Sequence, residues 1–295
     1  MKGTWIRWAS YGATAVALVF VGALVGSLAW ESLPVWRQEG LSYLTGKTWH
    51  YRGALFGALP MIYGSAVVAF IALLLAAPLG LGAALFSAEY VPGRWRWAVK
   101  VPIELLAGVP SVVYGLLGLL LLRGWIYRLL EPFDPLSGDT LLTGGVLLAV
   151  MILPTVMTLA DDALRGVGAS QRRAARGLGL TRAESIWRVS LPQAAPGLAA
   201  ALLLGFGRAL GETIAVFLVV GRQDNQWPAS VFSPRAWLEA GQTLTSKLGG
   251  SETFLAYGDP LHWGAIVGLG LILLILVGGL TGVAGRWLPQ ARRHA

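Results

Sequence analysis

The stretch Gly207-Arg208-Ala209-Leu210-Gly211-Glu212-Thr213 sits inside an apolar run that extends from Ala194 to Gly221 and carries no other charge. That run is longer than the about 20 residues a helix needs to cross the apolar core of a bilayer. A charge at the centre of such a span costs on the order of 2.5–3.5 kcal/mol on insertion scales, so Arg208 is expected to face protein or water and to carry function. Arg208 and Glu212 are four residues apart and would share one face of a continuous helix. Two readings stand side by side. The pair lines a pathway for something charged, or it is a structural pair that holds helices together without touching a substrate.

Five further apolar runs are long enough to span, and they set the fold class. The six lie near Ser10–Trp30, Gly57–Ser87, Val101–Leu122, Leu141–Ala160, Ala194–Gly221 and His262–Gly285. The second and fifth exceed the minimum and are expected to tilt or to extend beyond the bilayer. The first is too long for the apolar segment of a signal peptide and lacks a small-residue cleavage site, so it reads as a retained helix. Charged residues make up only 13% of the 295, against about 25% in soluble domains, and mean hydropathy is +0.63. The expectation is an all-α integral membrane protein of six transmembrane helices. Residues 1–56 form an N-terminal helix and outer loop, and residues 57–295 form the main transmembrane domain. The net charge of +8 is not gathered into a face that would bind nucleic acid. With no cysteine in the chain, disulfides and thiolate metal sites are excluded. His50, His262 and His294 are too scattered to suggest a metal site.

Loop charge sets the expected orientation. With the N-terminus inside, 14 of the 23 Lys and Arg residues fall on the inner side, from Lys2 and Arg7 to Arg286, Arg292 and Arg293, and eight fall outside. The densest cluster, in the loop 161–193, is then cytoplasmic, as are both termini. The outer loops, Glu31–Phe56 and Arg222–Leu261, have room for short interfacial helices. Trp30, Trp36, Trp49, Trp227, Trp237 and Trp263 suit a belt at the membrane surface. Gly22-x-x-x-Gly26, Gly264-x-x-x-Gly268 and Gly278-x-x-x-Gly282 are spaced for close helix packing.

The loop 161–193 is too organised for a linker. The stretch Ser170 to Arg176 has strong helix formers, and Gly177 and Gly179 break it, glycine being the usual residue past a helix end. Thr181-Arg182-Ala183-Glu184 fits a capping box with Thr181 as N-cap and Glu184 at its third position. A second short helix is predicted from Arg182 to about Ser190, where Leu191-Pro192 stops it. A helix, a glycine turn and a helix therefore project from the inner side. They serve either as a basic amphipathic hairpin on anionic lipid or as a docking element for a cytoplasmic partner.

Three motifs carry a family resemblance. Ala174-Ala175, Gly179 and Leu191-Pro192 at their fixed spacing resemble the EAA loop of bacterial ABC importer permeases, with Arg173 in the glutamate slot and Val189 in the isoleucine slot. Glu104-Leu-Leu-Ala-Gly-Val-Pro-Ser-Val-Val-Tyr-Gly115 and Gly207-Arg-Ala-Leu-Gly-Glu-Thr-Ile-Ala-Val216 are similar to stretches of the PstC-type permease subunits of phosphate-specific ABC importers, as is Thr243-Leu244-Thr245-Ser246. This resemblance implies the six-helix, MetI-like fold of type I ABC importer permeases. It also implies a loop, with Arg173, Ala174, Ala175, Gly179, Thr181, Glu184, Leu191 and Pro192, that docks on an ATPase subunit. The implied partners are a homologous second permease of the PstA type, two ATPase subunits, an external phosphate-binding protein and membrane lipid. The chain has no Gly-x-x-x-x-Gly-Lys-(Ser/Thr) loop, so no cofactor is expected on it; ATP and Mg belong to the partners, and the chain is a transport subunit rather than an enzyme.

The residues also suit phosphate from below. An Arg fork, hydroxyls and backbone N–H groups satisfy phosphate oxygens. The expected pathway residues are Arg208, Glu212, Thr213, Ser111 and Glu104. Glu212 would partner Arg208 between anions, and the Gly108–Ser111 stretch would unwind where it lines a cavity. Glu104 equally fits a structural place near the inner end of its span. Another oxyanion (molybdate, tungstate or sulfate) and a phosphate-sensing scaffold are the alternatives for the whole chain.

Overall fold

The computed structural model describes residues 4–133, 137–228, 230–231 and 233–293. Lys2 and His294 lie outside the described residues, and the side chains of Arg292 and Arg293 are likewise not described. The helices are α1 (Thr4–Glu39), α2 (Ser42–Thr45), α3 (Leu59–Glu89), α4 (Arg96–Gly108), α5 (Ser111–Leu117), α6 (Arg123–Leu130), α7 (Leu141–Arg165), α8 (Ala169–Gly177), α9 (Arg182–Ser185), α10 (Leu191–Gly211), α11 (Ile214–Val219), α12 (Leu244–Leu248), α13 (Glu252–Leu255) and α14 (Pro260–Arg293). A small antiparallel hairpin, β1 (Trp49–His50) and β2 (Leu55–Phe56), sets Trp49 opposite Phe56.

Six stretches are long and apolar enough to cross a membrane: Ile6–Glu39, Leu59–Glu89, Ser111–Phe133, Leu141–Arg165, Arg182–Gly211 and Pro260–Arg286. Their number agrees with the sequence reading, and three of their boundaries do not. The first helix runs on through Pro34 to Glu39 instead of stopping near Trp30. The third span was expected from Val101 to Leu122, yet Val109 and Pro110 are extended (ψ 129° and 140°) and separate α4 from α5. Proline disfavours helical backbone at the residue before it and has no N–H to give. The span therefore starts at Ser111 and reaches Phe133, continuing across a π turn at Gly118–Leu122. The fifth span was expected to be unbroken to Gly221. It ends at Gly211, because Glu212 is extended (ψ 125°), and the helix resumes as α11 with the Thr213 carbonyl accepting from the Phe217 N–H at 2.9 Å. Glycine is a poor helix former, and β-branched threonine loses rotamer freedom inside a helix, so a break falls naturally at this pair.

The helix predicted to stop at Leu191-Pro192 does not stop. α9 passes through a π turn, Ile186–Ser190, straight into α10. The Leu191 N–H donates to the Ile186 carbonyl five residues back. Pro192 directly follows the π turn, in the first turn of α10.

Apolar packing falls into three clusters. The central one joins α3, α5, α7, α10 and α11 around Val68, Ile71, Leu148, Ile152, Leu210 and Val216. Small residues set the spacing there: a Cβ on Gly145 would meet Ile71, and one on Gly80 or Gly205 would meet Val156. At the lower end, where α3 and α7 finish, Ala88, Met157, Leu164 and Ala194 pack with Val99 and Ile103 of α4. At the upper end, Val35, Tyr43, Phe56, Met61 and Leu269 form the third cluster, and Tyr43 donates to the Ala265 carbonyl at 2.7 Å. Gly264 abuts Glu31 and Pro34, and Gly268 abuts Tyr43, so this glycine pair is a packing site. Gly22, Gly26, Gly278 and Gly282 face open space in this chain. Trp49, placed in a surface belt by the sequence reading, is 3% exposed because it is clamped between the two upper loops.

Candidate functional site

The two chain breaks meet. α5 packs along α11, with Gly115 so close that a Cβ there would lie 2.7 Å from Leu218 Cδ1 and 3.1 Å from Ala215 Cα. The Tyr114 hydroxyl donates to the Leu106 carbonyl at 2.7 Å, tying α5 back to α4 across the Pro110 break, and its side chain belongs to the same buried cluster as Ala209 and Leu210, next to Arg208 in sequence. Arg208 stands in the last turn of α10 and is exposed in the single chain. An exposed guanidinium on an apolar span must be covered by protein or water. The adjoining face of α5 is also open, with Val112, Val113, Leu116 and Leu117 exposed.

Glu212 does not share a helical face with Arg208, contrary to the spacing argument. It is the first extended residue past α10, is half-buried, and no ion pair joins it to Arg208 among the described residues. The four-residue rule holds only within a continuous helix, and Gly211 ends this one. Thr213 is the N-cap of α11, with its hydroxyl toward the Gly211 carbonyl (3.5 Å) and its methyl against Gly249. Ser111, half-buried, opens α5 directly after Pro110. Glu104 lies on α4, exposed and paired with Lys100 at 3.6 Å, and among the described residues no hydrogen bond or ion pair links it to Arg208, Glu212 or Thr213. Arg208, Tyr114 and the two breaks thus form one locus, and Glu104 belongs to the lower surface.

The Thr243-Leu244-Thr245-Ser246 motif caps this locus from above. Thr243 and Ser246 make a reciprocal capping box at the start of α12, and all four residues are buried. The Leu244 N–H donates to Ser65 Oγ at 2.8 Å, and the Gly64 Cα hydrogens face the Gln242 carbonyl so closely that no side chain would fit. A void of about 10 Å³ remains between Ser65, Thr243 and Thr245 on one side and Ala209, Leu210 and Val216 on the other. Above it, Lys247 is 2% exposed and bonded to Asp224 Oδ2 (2.6 Å) and to Glu252. Glu252 also accepts from Trp49 Nε1 at 2.5 Å and meets His262 Nε2 at 2.9 Å. Burial alone would raise the Glu252 carboxyl; the bonds from Lys247, Trp49 and His262 outweigh that and hold it below its ordinary value. Sequence reasoning missed this cluster, since its members are scattered over more than 200 positions.

The lower loop folds as its composition dictates. α8 ends at Gly177, Gly179 takes a left-handed φ of 86°, and the Leu180 N–H bonds back to the Ala175 carbonyl at 3.3 Å. The Thr181–Glu184 capping box is present in both directions. Ala175 is buried, Arg173, Ala174 and Gly179 are exposed, and Leu191 and Pro192 lie at the junction with α10. Leu178 and Trp187, 85% and 71% exposed, leave an apolar surface on this hairpin. Arg173, in the family's glutamate slot, is exposed and donates to the Ala169 carbonyl at 3.3 Å.

Residues 76–280 match the family described as binding-protein-dependent transport system inner membrane component, and the chain belongs to that family. It is a multi-pass membrane permease with the type I ABC importer fold. The Phosphate transport system permease protein PstC of Mesorhizobium japonicum is 34% identical over 283 residues, covering 90% of this chain and 83% of the relative. The Phosphate transport system permease protein PstC 1 of Mycobacterium bovis is 34% identical over 322 residues, covering 98% and 93%. The probable ABC transporter permease protein YqgH of Bacillus subtilis is 34% identical over 271 residues, covering 89% and 84%. Among solved structures, an inward-facing MetNI methionine ABC transporter superposes with a TM-score of 0.55 at 15% identity, over 77% of this chain and 94% of that one. An amino acid ABC transporter gives 0.51 at 18% identity, over 83% and 95%.

Proposed function

We propose that this chain is the PstC-type permease subunit of an ATP-driven importer that moves inorganic phosphate across the cytoplasmic membrane. The observation that carries the reading is Arg208, uncovered in the single chain beside the break that ends an apolar span. A homologous, PstA-like permease laid on that face turns it into a pathway, and phosphate is the anion that the PstC relatives transport by name. Arg208 offers the anion a bidentate fork, with Glu212, Thr213 and Ser111 at the breaks beside it. The lower end is cytoplasmic, both termini included. The hairpin of α8 and α9 docks on ATPase subunits that bind ATP and Mg, this chain binding no cofactor of its own, and the upper loops receive an external phosphate-binding protein. Glu104 serves the lower surface and is left out of the pathway.

The experiment is phosphate uptake by the assembled importer in proteoliposomes. Arg208→Gln is expected to lower uptake by roughly one to two orders of magnitude, corresponding to the about 1.5–3 kcal/mol carried by a hydrogen bond to a charged group, with assembly unchanged. Wild-type uptake in that variant removes Arg208 from the mechanism. Competition of labelled phosphate by molybdate, tungstate or sulfate tests the anion.

A further inference from the structure

Glu89 ends α3 at the lower end and is 8% exposed. Its carboxylate pairs with Arg172 Nη2 of α8 at 3.2 Å and accepts from Ser190 Oγ, in the π turn before α10, at 3.1 Å. Its backbone carbonyl accepts from Arg182 of α9, whose guanidinium also lies over the Tyr90 ring at 4.5 Å. Arg172 Nη2 further donates to the Leu164 carbonyl at 2.5 Å, and Arg165 bonds Ser87 Oγ at 3.2 Å and Asp161 at 2.7 Å. One buried residue thus fastens the lower hairpin to the end of α3: its carboxylate holds α8 through Arg172 and the root of α10 through Ser190, and its backbone carbonyl holds α9 through Arg182.

The opposite end of the same helix is fastened just as tightly. Gly64 is pressed on the Gln242 carbonyl, and Ser65 Oγ takes the Leu244 N–H. Between these ends, α3 is one helix of 31 residues, about 46 Å at 1.5 Å per residue, and it is interlocked with α7 at Gly80 and Gly145. A displacement of the hairpin therefore has a contiguous packed route along α3, interrupted in its hydrogen-bond ladder only at Pro78, to α12, the segment that closes the void above Leu210.

We infer that Glu89 is a positioning residue that couples the lower hairpin to the α12 closure through α3. The inference rests on the proposed role of the hairpin as the place where ATPase subunits act. It says nothing about the transported anion. Breaking the Glu89–Arg172 joint should let ATP hydrolysis proceed while α12 no longer responds.

The chain has no cysteine, so a single Thr245→Cys reports the closure from outside. Thr245 is 2% exposed and lines the void. The full importer in proteoliposomes is treated with a membrane-impermeant maleimide with and without ATP, while ATP hydrolysis and phosphate uptake are followed in the same vesicles. With Glu89 present, ATP is expected to change the labelling rate at least about fivefold. Glu89→Gln, which keeps the shape and the Ser190 bond, and Arg172→Met, which alters the other partner, should each bring that change to less than twofold. Hydrolysis should stay within twofold of wild type, and phosphate moved per ATP should fall about tenfold. Labelling that still responds to ATP in both variants overturns the inference, as does labelling that never responds with Glu89 in place. Loss of hydrolysis in proportion to uptake also overturns it, marking Glu89 as structural only. A complex that hydrolyses ATP and shows the Glu89-dependent labelling change but accumulates no phosphate refutes the proposed anion and leaves Glu89 in its role.

Discussion

Lys247 shows how a single charge decides a local structure. Its side chain is 2% exposed, with Asp224 and Glu252 as partners and the Trp49 ring 5.0 Å from its Nζ. Removing one partner of a buried pair costs about 3–5 kcal/mol, because the remaining charges are left uncompensated. Lys247→Met is therefore expected to destabilise the detergent-solubilised protein by that order, read as a lower apparent melting temperature by tryptophan fluorescence. Asp224→Asn should cost less, since Asp224 is 35% exposed and water can replace its partner. A Lys247→Met protein as stable as the wild type would mean that desolvation of Lys247 cancels its pairing. Arg208 is the contrasting case. It is uncovered in this chain, so under the proposed function its substitution is expected to lower transport and to leave the stability of the subunit alone.

At the scale of elements, the contact between α5 and α11 has no room to spare. Gly115→Val places a branched side chain against Ala215 and Leu218, where even a Cβ lies too close. Overpacking of this kind costs typically about 1–3 kcal/mol, and here it also pushes apart the two segments that carry the breaks. The expected result is reduced uptake with the complex still assembled, whereas Gly124→Val, facing open space, should be silent; equal effects of the two would place the sensitivity elsewhere. The capping box gives a second test. Thr181→Ala removes the acceptor for the Glu184 N–H, at a cost of about 1 kcal/mol, and should speed hydrogen exchange over α9 without affecting α8. These elements were legible to different degrees. Span number, the Thr181 cap, the Gly179 turn and the unwinding at Pro110 all rest on local chemistry, which sequence displays. The break at Glu212 was missed because an apolar run with two charges at helical spacing looks continuous, and that pattern overrode the local signal of Gly211 and Thr213. The passage through Pro192 was missed because a π turn leaves no residue signature. Glu89 was overlooked although it is the lone carboxylate at the end of a long apolar run, since its value lies in Arg172, Arg182 and Ser190, about 80–100 positions away.

For the whole molecule, the upper end is held by polar bonds between distant loops, and the lower end by a basic hairpin closed on the carboxylate and backbone carbonyl of Glu89. The upper network makes stability depend on acidity. Glu252 meets Lys247, Trp49 and His262, and Asp224 meets the same lysine. The folded Glu252 carboxyl is depressed below its ordinary value of 4.5, so the unfolded chain holds its proton more tightly than the folded one. A depressed carboxyl contributes stability that is fully present above the unfolded value and is lost as pH falls through the folded value. Bonds from Trp49 and His262 to Glu252 join residues 49, 252 and 262, so the loss should appear as joint release of both upper loops. Hydrogen exchange over residues 49–56 and 243–256, followed from about pH 6 to about pH 3 with correction for the intrinsic rate, should show protection falling together in the two segments. Glu252→Gln cannot titrate, so it should start with lower protection at neutral pH and follow a flatter profile. The lower hairpin, whose cap is a separate Thr181–Glu184 unit, should lose protection independently. A profile for the upper loops that is the same in wild type and Glu252→Gln would assign their acid sensitivity to Asp224 or to other groups, and would remove Glu252 as the link between them.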